Sequence, residues 1–294
     1  MFNLIKYKNL FIGFSATLMV FAAVSIAVFG FRPGIDFTGG TLWQIRFTEK
    51  LVSVGDLESY FKSKGLDTVL ITADSSNTTF LIRTNELAQA QHEEYLVELQ
   101  TKFGAADDLR FESIGPTVGQ ELRNKALLAF IMVLFGISLY VAFAFRKVSY
   151  PVRSWKYGFS ALVCLFHDAL IPAGLYAFFG HYRIMEIDTN FIVALLVIIG
   201  FSVHDTIVVF DRIRENLIVQ KSKTLEDIIN ISVNQTFVRS INTSLTLVLV
   251  LTALYLFGAA TLSYFVLLIL IGTVIGTYSS IFVASPLLTY LQKK

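Results

Sequence analysis

The sequence predicts a polytopic α-helical membrane protein with six transmembrane helices and one α+β, ferredoxin-like extracytoplasmic domain between helices 1 and 2. Two observations carry this prediction. Hydrophobic residues make up 54% of the 294 residues and charged residues only 16%, whereas a soluble domain has about 25% charged residues. The hydrophobic residues are also gathered into six stretches that have the length of a membrane-spanning helix, about 20 apolar residues.

The overall charge and the single cysteine exclude several other classes. The net charge is +2, so no strong field attracts nucleic acid or other polyanions. Cys164 is the only cysteine, which excludes a disulfide framework and a cysteine-based zinc site.

The six predicted spans follow from the apolar runs. The first run, which follows Lys6 and Lys8, is longer than the 7–15 residues of a signal-peptide core and has no clear small-residue cleavage site. We therefore expect an uncleaved anchor here. The spans are predicted at Leu10–Gly30, Leu127–Phe145, Gly158–Phe179, Thr189–Phe210, Ile241–Gly258 and Ser263–Leu291.

The distribution of Lys and Arg predicts the orientation. With both termini in the cytoplasm, the cytoplasmic segments hold thirteen Lys and Arg residues, and the two short outer loops hold only Arg183. Excess positive charge in short loops marks the cytoplasmic side. The predicted domains are therefore 1–30 with helix 1, an extracytoplasmic domain at 31–123, and helices 2–6 at 124–294 with a cytoplasmic loop near 211–238.

The long segment between the first two spans alternates short strands and helices. The order strand, helix, strand, strand, helix, strand is that of a ferredoxin-like plait, a scaffold that by itself does not indicate a function. A hairpin turn is expected at Asp74–Asn77 between the middle strands. The elements are predicted at Thr41–Phe47, Val54–Lys64, Thr68–Thr72, Thr79–Arg83, Glu86–Phe103 and Leu109–Ile114.

Two glycine-rich stretches flank this segment. The first, Pro33–Gly40, could be a turn into the first strand or a phosphate-binding loop. A phosphate loop needs a lysine or a helix start beside its glycines, and a strand follows instead, so we interpret it as a turn. Gly115–Gly119 is interpreted as the turn that leaves the domain.

Polar and ionisable residues lie inside three of the apolar stretches. Each charged side chain costs roughly 2.5–3.5 kcal/mol at the centre of a membrane helix, so such residues face the bundle interior and often mark ion pathways. They are His167 and Asp168 in the third span, Ser202, His204, Asp205 and Thr206 in the fourth, and Arg239, Asn242, Thr243 and Thr246 in the fifth. The last four share one helix face because their spacing is i, i+3, i+4 and i+7.

Two interpretations of these residues are open. They could be buried pairs that hold the helices together, which we favour for Ser202, His204 and Thr206. Alternatively, a buried carboxylate near an arginine could exchange protons as its surroundings alternate between wet and dry, which we favour for Asp205 and Arg239 and expect to see as a close pair. A second relay and a structural pair are equally compatible with His167 and Asp168.

A metal site is not expected. His167, Asp168, His204 and Asp205 are types of residue that bind zinc, but adjacent helical residues point about 100° apart and rarely bind one ion together. The segment after the fourth span, Asp211–Asn216, is interpreted as a charge-paired helix end. Thr224–Phe237 is amphipathic and predicts a helix lying at the inner membrane interface, or a surface that docks a partner.

Four motifs now give a resemblance that covers nearly the whole chain. Gly34–Gly40 follows the first span, and Ile114–Gly119 precedes the second. Ser202–Asn216 and Arg239–Ser244 are the more specific motifs. With the predicted architecture, the chain resembles the SecF proteins of the SecD/SecF family of bacterial protein export.

The resemblance implies a fold related to the RND superfamily, with SecD as partner in a heterodimer, and association with the SecYEG channel and YajC. It implies an inner-membrane protein that uses the proton motive force to drive late preprotein translocation and release on the outer face. The family's relay aspartate, arginine and threonine match Asp205, Arg239 and Thr243. The family often has Asn before this aspartate, where this chain has His204, so Ser202, His204 and Asn242 are candidate modulators, and proton or sodium coupling stays open.

We therefore expect a transport subunit with no enzymatic activity, no cofactor, no metal and no nucleic-acid partner. One alternative is a homodimeric RND-like transporter of small molecules or ions, which co-purification of SecD would argue against. Another is a purely structural assembly subunit, in which Asp205→Asn would change stability or assembly but not proton dependence.

Overall fold

A computed structural model describes residues 3–49, 51–66, 68–74, 77–146, 152–182, 185–259 and 262–292. The chain divides into two compact units. One is residues 33–127, and the other is residues 1–32 together with 128–294. Among the residues used above for the orientation, Lys147, Arg183, Lys293 and Lys294 lie outside the described residues.

The larger unit is a bundle of long apolar helices. Six helical segments are long and apolar enough to cross a membrane, as a polytopic helical membrane protein requires. Their helices are α1 (Lys8–Phe29), α5 (Pro116–Ala144), α6 (Ser154–Tyr182), α7 (Thr189–Val219), α8 (Leu225–Phe257) and α9 (Ser263–Ser279). The last span continues from α9 through a π-helical turn, Ser280–Ala284, into a short helix that ends at Tyr290.

The smaller unit is a four-stranded antiparallel sheet with helices. A four-residue helix, α2 (Ile35–Thr38), precedes β1 (Gly40–Phe47), α3 (Val54–Ser63), β2 (Leu70–Ala73), β3 (Thr79–Thr84), α4 (Gln89–Phe103) and β4 (Ala106–Ile114). The order of strands across the sheet is β2-β3-β1-β4, and every neighbouring pair is antiparallel.

Local sequence signals explain these elements. Ser53 caps α3 because its hydroxyl accepts a hydrogen bond from the Asp56 amide, and the Asp56 carboxylate accepts one from the Ser53 amide, which forms a capping box. Alternate residues of β1, Trp43, Ile45 and Phe47, are buried in the domain core. The predicted hairpin turn falls partly on Ser75 and Ser76, which lie outside the described residues.

The two glycine stretches pack closely together. Gly39 and Gly40 have φ angles of +76° and +120°, which favour glycine. A Cβ on Gly39 would lie 2.6 Å from Pro116 Cα, and one on Gly119 would lie 2.8 Å from the Gly39 nitrogen. The entering segment, which contains the short helix α2, therefore packs backbone against backbone on the first turn of α5, which begins at Pro116 where the sequence predicted a turn. This contact requires glycine at both places.

The segment expected to be a cytoplasmic loop is largely helical. Only residues 220–224 separate α7 from α8. The expected helix at the inner interface, Thr224–Phe237, is not a separate element, because α8 is continuous from Leu225 to Phe257. Its first turns bury Ile228, Ile229 and Val233 in a cluster with Ile213 of α7, so this apolar face is occupied by the chain's own core.

Candidate ion-coupling site in the helical bundle

Asp205 lies in the middle of α7 and is 2% exposed. Its Oδ2 atom is buried and makes no hydrogen bond in the described part of the chain. The same is true of the Ser240 hydroxyl on α8. His204 and Arg239 are close enough to interact electrostatically with the Asp205 carboxyl group, and the Ser240 hydroxyl approaches it without the geometry of a hydrogen bond. A buried carboxyl oxygen without a partner is costly, which marks Asp205 as a functional candidate.

Arg239 does not form the expected pair with Asp205, since no ion pair joins them within the described ranges. The reason is the rotation of α8. Ser240 and Ser244 are buried, so α8 packs through this small-residue face and Arg239, about 100° away, is exposed.

A polar stripe on α8, formed by Arg239, Asn242, Thr243 and Thr246, therefore points away from this chain's own core. Asn242 and Thr246 are exposed, and Thr243 is half-buried. The Thr243 hydroxyl donates to the Arg239 carbonyl at 2.9 Å, and that of Thr246 donates to the Thr243 carbonyl at 2.7 Å. These bonds satisfy the hydroxyl groups within the helix but leave the Arg239 side chain to other partners.

Arg239 lines a cleft of about 320 Å³ between α5, α7 and α8. The cleft is also lined by Tyr140, by Ile207 and by the paired side chains Asp211 and Arg214, which are 3.3 Å apart. It thus combines an apolar wall with Arg239 near the middle of α8 and the charged pair in the last third of α7.

A second polar centre surrounds Asp168 on α6. Asp168 is completely buried, and His167 is 1% exposed. His167 Nδ1 lies 2.7 Å from Asp168 Oδ1. The Ser279 hydroxyl of α9 donates to Asp168 Oδ2 at 2.6 Å, and the Ser202 hydroxyl of α7 donates to the same oxygen. One carboxyl group therefore joins three membrane helices.

Small residues let these helices approach. A Cβ on Gly276 of α9 would lie 3.0 Å from the Ser202 Cβ, so the α7–α9 contact occurs at the Asp168 centre itself. The π-helical turn begins directly after Ser279, and Ser160 of α6 donates to the Ala284 carbonyl in that turn at 3.0 Å. Close approach through small residues is the usual basis of helix packing in membranes.

The sequence reasoning missed Ser240 and Ser279. A serine in an apolar helix hardly changes its hydropathy, so neither stood out. The available signal was the spacing of Gly272, Gly276 and Ser279 on one face of the last span, which marks a close helix contact. Within the described ranges, no three His, Cys, Asp or Glu side chains come together as a metal site would need.

The fold and the site define a class, that of polytopic membrane proteins with ionisable groups buried in a helical bundle. A family model described as "Protein export membrane protein SecD/SecF, C-terminal" matches residues 95–294, and one described as "SecD/SecF GG Motif" matches residues 24–50. The chain belongs to the SecD/SecF family of protein-export membrane proteins, as its motifs predicted.

Relatives along the full length are SecF subunits. The chain is 43% identical to the protein translocase subunit SecF of Thermobaculum terrenum, covering 100% of this chain and 95% of the relative. It is 38% identical to that of Sebaldella termitidis, covering 99% and 92%. These names, with the membrane helices, indicate a SecF subunit of the protein translocase in the inner membrane.

Larger SecDF chains also match. The protein translocase subunit SecDF of Bacillus subtilis is 35% identical over 96% of this chain and 37% of its own length. The crystal structure of SecDF, a translocon-associated membrane protein from Thermus thermophilus, superposes with a TM-score of 0.81 at 34% identity, covering 98% of this chain and 38% of that chain. The bundle and the smaller unit thus have a solved counterpart.

Proposed function

We propose that this chain uses the proton motive force, together with SecD, to drive late preprotein translocation and release on the outer face of the membrane. The observation that carries the proposal is Asp205, a buried carboxyl group with an unpartnered oxygen in the middle of a membrane helix. Such groups in membrane proteins mark proton relays.

The chemistry needed is a charge that changes inside the bundle. Asp205 binds and releases the proton, Arg239 stabilises the ionised carboxylate when the two approach, and Thr243 orients water or the carboxylate. Each proton that crosses the membrane releases about 2.3 kcal/mol per 100 mV. A few protons therefore supply enough free energy for a conformational change of the translocation machinery.

The exposed polar stripe on α8 supports SecD as the partner. Arg239 and Asn242 face away from this chain's core, and a charged side chain facing lipid is costly. A second membrane subunit that covers the stripe and supplies an acidic side chain would remove this cost. The SecDF relatives carry the corresponding partner in the same chain. Association with SecYEG, YajC and the preprotein belongs to the same proposal.

The proposal also includes the orientation and the smaller unit. Both termini lie in the cytoplasm, because twelve Lys and Arg residues besides Arg239 then fall on that side. The smaller unit is then an extracytoplasmic, ferredoxin-like domain, which its order of elements and of strands supports. The subunit moves polypeptide without catalysing a covalent reaction and needs no cofactor.

A homodimeric RND-like transporter is the second candidate, because a second copy of this chain could also cover the stripe. Purification in a mild detergent distinguishes the two. SecD in stoichiometric amount supports the first proposal, and a homodimer without SecD supports the second.

The central experiment measures completion of preprotein export in inverted membrane vesicles after ATP is removed. Parental protein is compared with Asp205→Asn, with and without an uncoupler. The matched control is Glu215→Gln, which neutralises an exposed carboxylate on the same helix, paired there with Arg212. We expect the parent and the control to need the gradient and Asp205→Asn to lose that response with SecD still bound. An Asp205→Asn variant that responds to the uncoupler like the parent would refute the proposal.

A further inference from the structure

The Asp168 centre is a second buried ionisable site, and its geometry indicates a role of its own. We propose that His167 and Asp168 together bind one exchangeable proton, and that the resulting charge controls how firmly α7, the helix of Asp205, is held against α6 and α9. The second half of this inference rests on the proposed function, whereas the proton site itself does not.

The hydrogen bonds locate the proton. Asp168 Oδ2 accepts from the hydroxyl groups of Ser202 and Ser279, so it serves as an acceptor. Asp168 Oδ1 faces His167 Nδ1 at 2.7 Å. The hydrogen of this pair therefore lies between Oδ1 and Nδ1, where either atom can carry it.

Burial determines how many protons the pair holds. An ionised Asp168 beside a neutral His167 is a net negative charge, and His167 is the one basic side chain that pairs with Asp168 in the described ranges. An uncompensated buried charge is strongly unfavourable. One additional proton makes the pair neutral as an imidazole beside a carboxylic acid, the form that leaves no charge of either sign in the dry interior. The dry bundle thus favours the protonated pair, and entry of water favours release.

The far side of the imidazole argues against a purely structural pair. His167 Nε2 is buried and has no hydrogen-bond partner in the described part of the chain. Buried polar groups that serve packing alone are nearly always satisfied. In the neutral pair Nε2 carries a hydrogen, and in the anionic pair it carries a bare lone pair. Nε2 is therefore the atom through which water can deliver or remove the proton.

The charged and titratable groups near the pair are few. The neighbouring helices contribute His204 and Asp205 on α7 and Tyr278 on α9, and α6 itself contributes Tyr157, Cys164 and Tyr176. The π-helical turn has none, and α1 has none after Lys8. Tyr140 on α5 and Tyr290 near the end of the last span lie on the remaining packed elements.

Ser202 connects the two sites. It lies three residues before Asp205, which is one helical turn and the same side of α7. An ionised Asp168 accepts the Ser202 hydrogen bond more strongly than a neutral one, since charged acceptors make the stronger bonds. Protonation of the pair therefore loosens α7 one turn away from Asp205.

Infrared difference spectroscopy of the full chain in lipid vesicles tests the proton site directly. The C=O stretch of a carboxylic acid is measured between acidic and alkaline pH for the parent, Asp168→Asn and Asp205→Asn. We expect a pH-dependent band that Asp168→Asn removes and Asp205→Asn retains. Ser160→Ala is the control, because it loses a buried hydrogen bond between α6 and the last span without touching an ionisable group, and it should keep the band.

Two spectroscopic results would overturn the proton site. One is that Asp168→Asn removes no carboxylic acid band at any pH. The other is that the band it removes is constant over the whole pH range in which the chain stays folded. Either result would make His167 and Asp168 a fixed structural pair.

The export assay tests the connection to α7. We expect Ser202→Ala to keep the Asp168 band but to lose the gradient-dependent part of export. If Ser202→Ala responds to the gradient like the parent, the connection is refuted while the proton site stands. If the Asp168 band titrates but Asp205→Asn still responds to the gradient, the proposed function fails and the site at Asp168 survives.

Discussion

Replacement of Gly174 by alanine tests how closely α1 and α6 pack. A Cβ on Gly174 would collide with the Cα and Cβ of Ala22 and lie 2.8 Å from the Ala22 carbonyl oxygen. The atoms in the way belong largely to the backbone of α1, so no side-chain rotation can relieve the collision.

The expected magnitude follows from the geometry. Carbon atoms in favourable contact are about 3.5–4.0 Å apart, so the two helices must separate locally by roughly 1 Å. Overpacking of this kind costs about 1–3 kcal/mol. Alanine is favoured over glycine within a helix by about 0.5–1 kcal/mol, which offsets part of the loss. We expect Gly174→Ala to lower the free energy of unfolding by about 1–2 kcal/mol.

The assay is reversible unfolding of the full chain in mixed micelles, followed by circular dichroism. Two control variants separate the effect of helix packing from the higher helix propensity of alanine. Gly200 on α7 has no atom within 4 Å of an added Cβ, so Gly200→Ala should be neutral or stabilising. At Gly272 the obstacle is the side chain of Ile198 and not a helix backbone, so Gly272→Ala should fall between the other two. If Gly174→Ala is as stable as Gly200→Ala, the close contact between α1 and α6 is refuted.

Two further predictions concern the smaller unit. Gly39→Ala should lower its thermal stability, because the residue has a φ of +76° and the added Cβ would meet the backbone at the start of α5. Limited proteolysis should then cleave this unit first. The hydrogen bond from Lys64, at 2.7 Å, lowers the pKa of the Glu98 carboxyl group, and a second hydrogen bond from the Tyr60 hydroxyl lowers it further. Glu98 therefore stabilises the fold above its unfolded pKa of about 4.3, and this stabilisation is lost as the pH falls through the lower folded pKa. Melting temperatures measured against pH should show that Glu98→Gln loses less stability in acid than the parent. An equal loss in both would contradict the stabilising role of the Glu98 carboxylate.

The apolar spans could be predicted from the sequence, but their ends could not. The fourth span was expected at Thr189–Phe210, and α7 continues to Val219. Hydropathy detects the part of a helix that lipid surrounds. Charged residues such as Asp211 and Arg212 end that signal, yet they are compatible with further helical turns at a membrane surface.

The candidate site was predicted only in part, for a similar reason. The chemical type of Asp168, Ser202 and Asp205 was visible in the sequence because polar groups are rare in apolar helices. Which helices touch was not visible, so the third partner of Asp168, Ser279, was missed. The expected pairing of Asp205 with Arg239 relied on opposite charge alone. The direction in which Arg239 points was set by its neighbour Ser240, which packs inward.

The unbroken length of α8 has a mechanical consequence. Its 33 residues extend for about 50 Å at 1.5 Å per residue, whereas the hydrocarbon core is about 30 Å thick. The Ser232 hydroxyl near its start accepts a hydrogen bond from Asn216 at 2.8 Å, two helical turns before Arg239. A stiff rod of this kind behaves as a lever. A tilt that moves Arg239 must also displace the contact with Asn216, so a movement at one of these two positions is transmitted to the other.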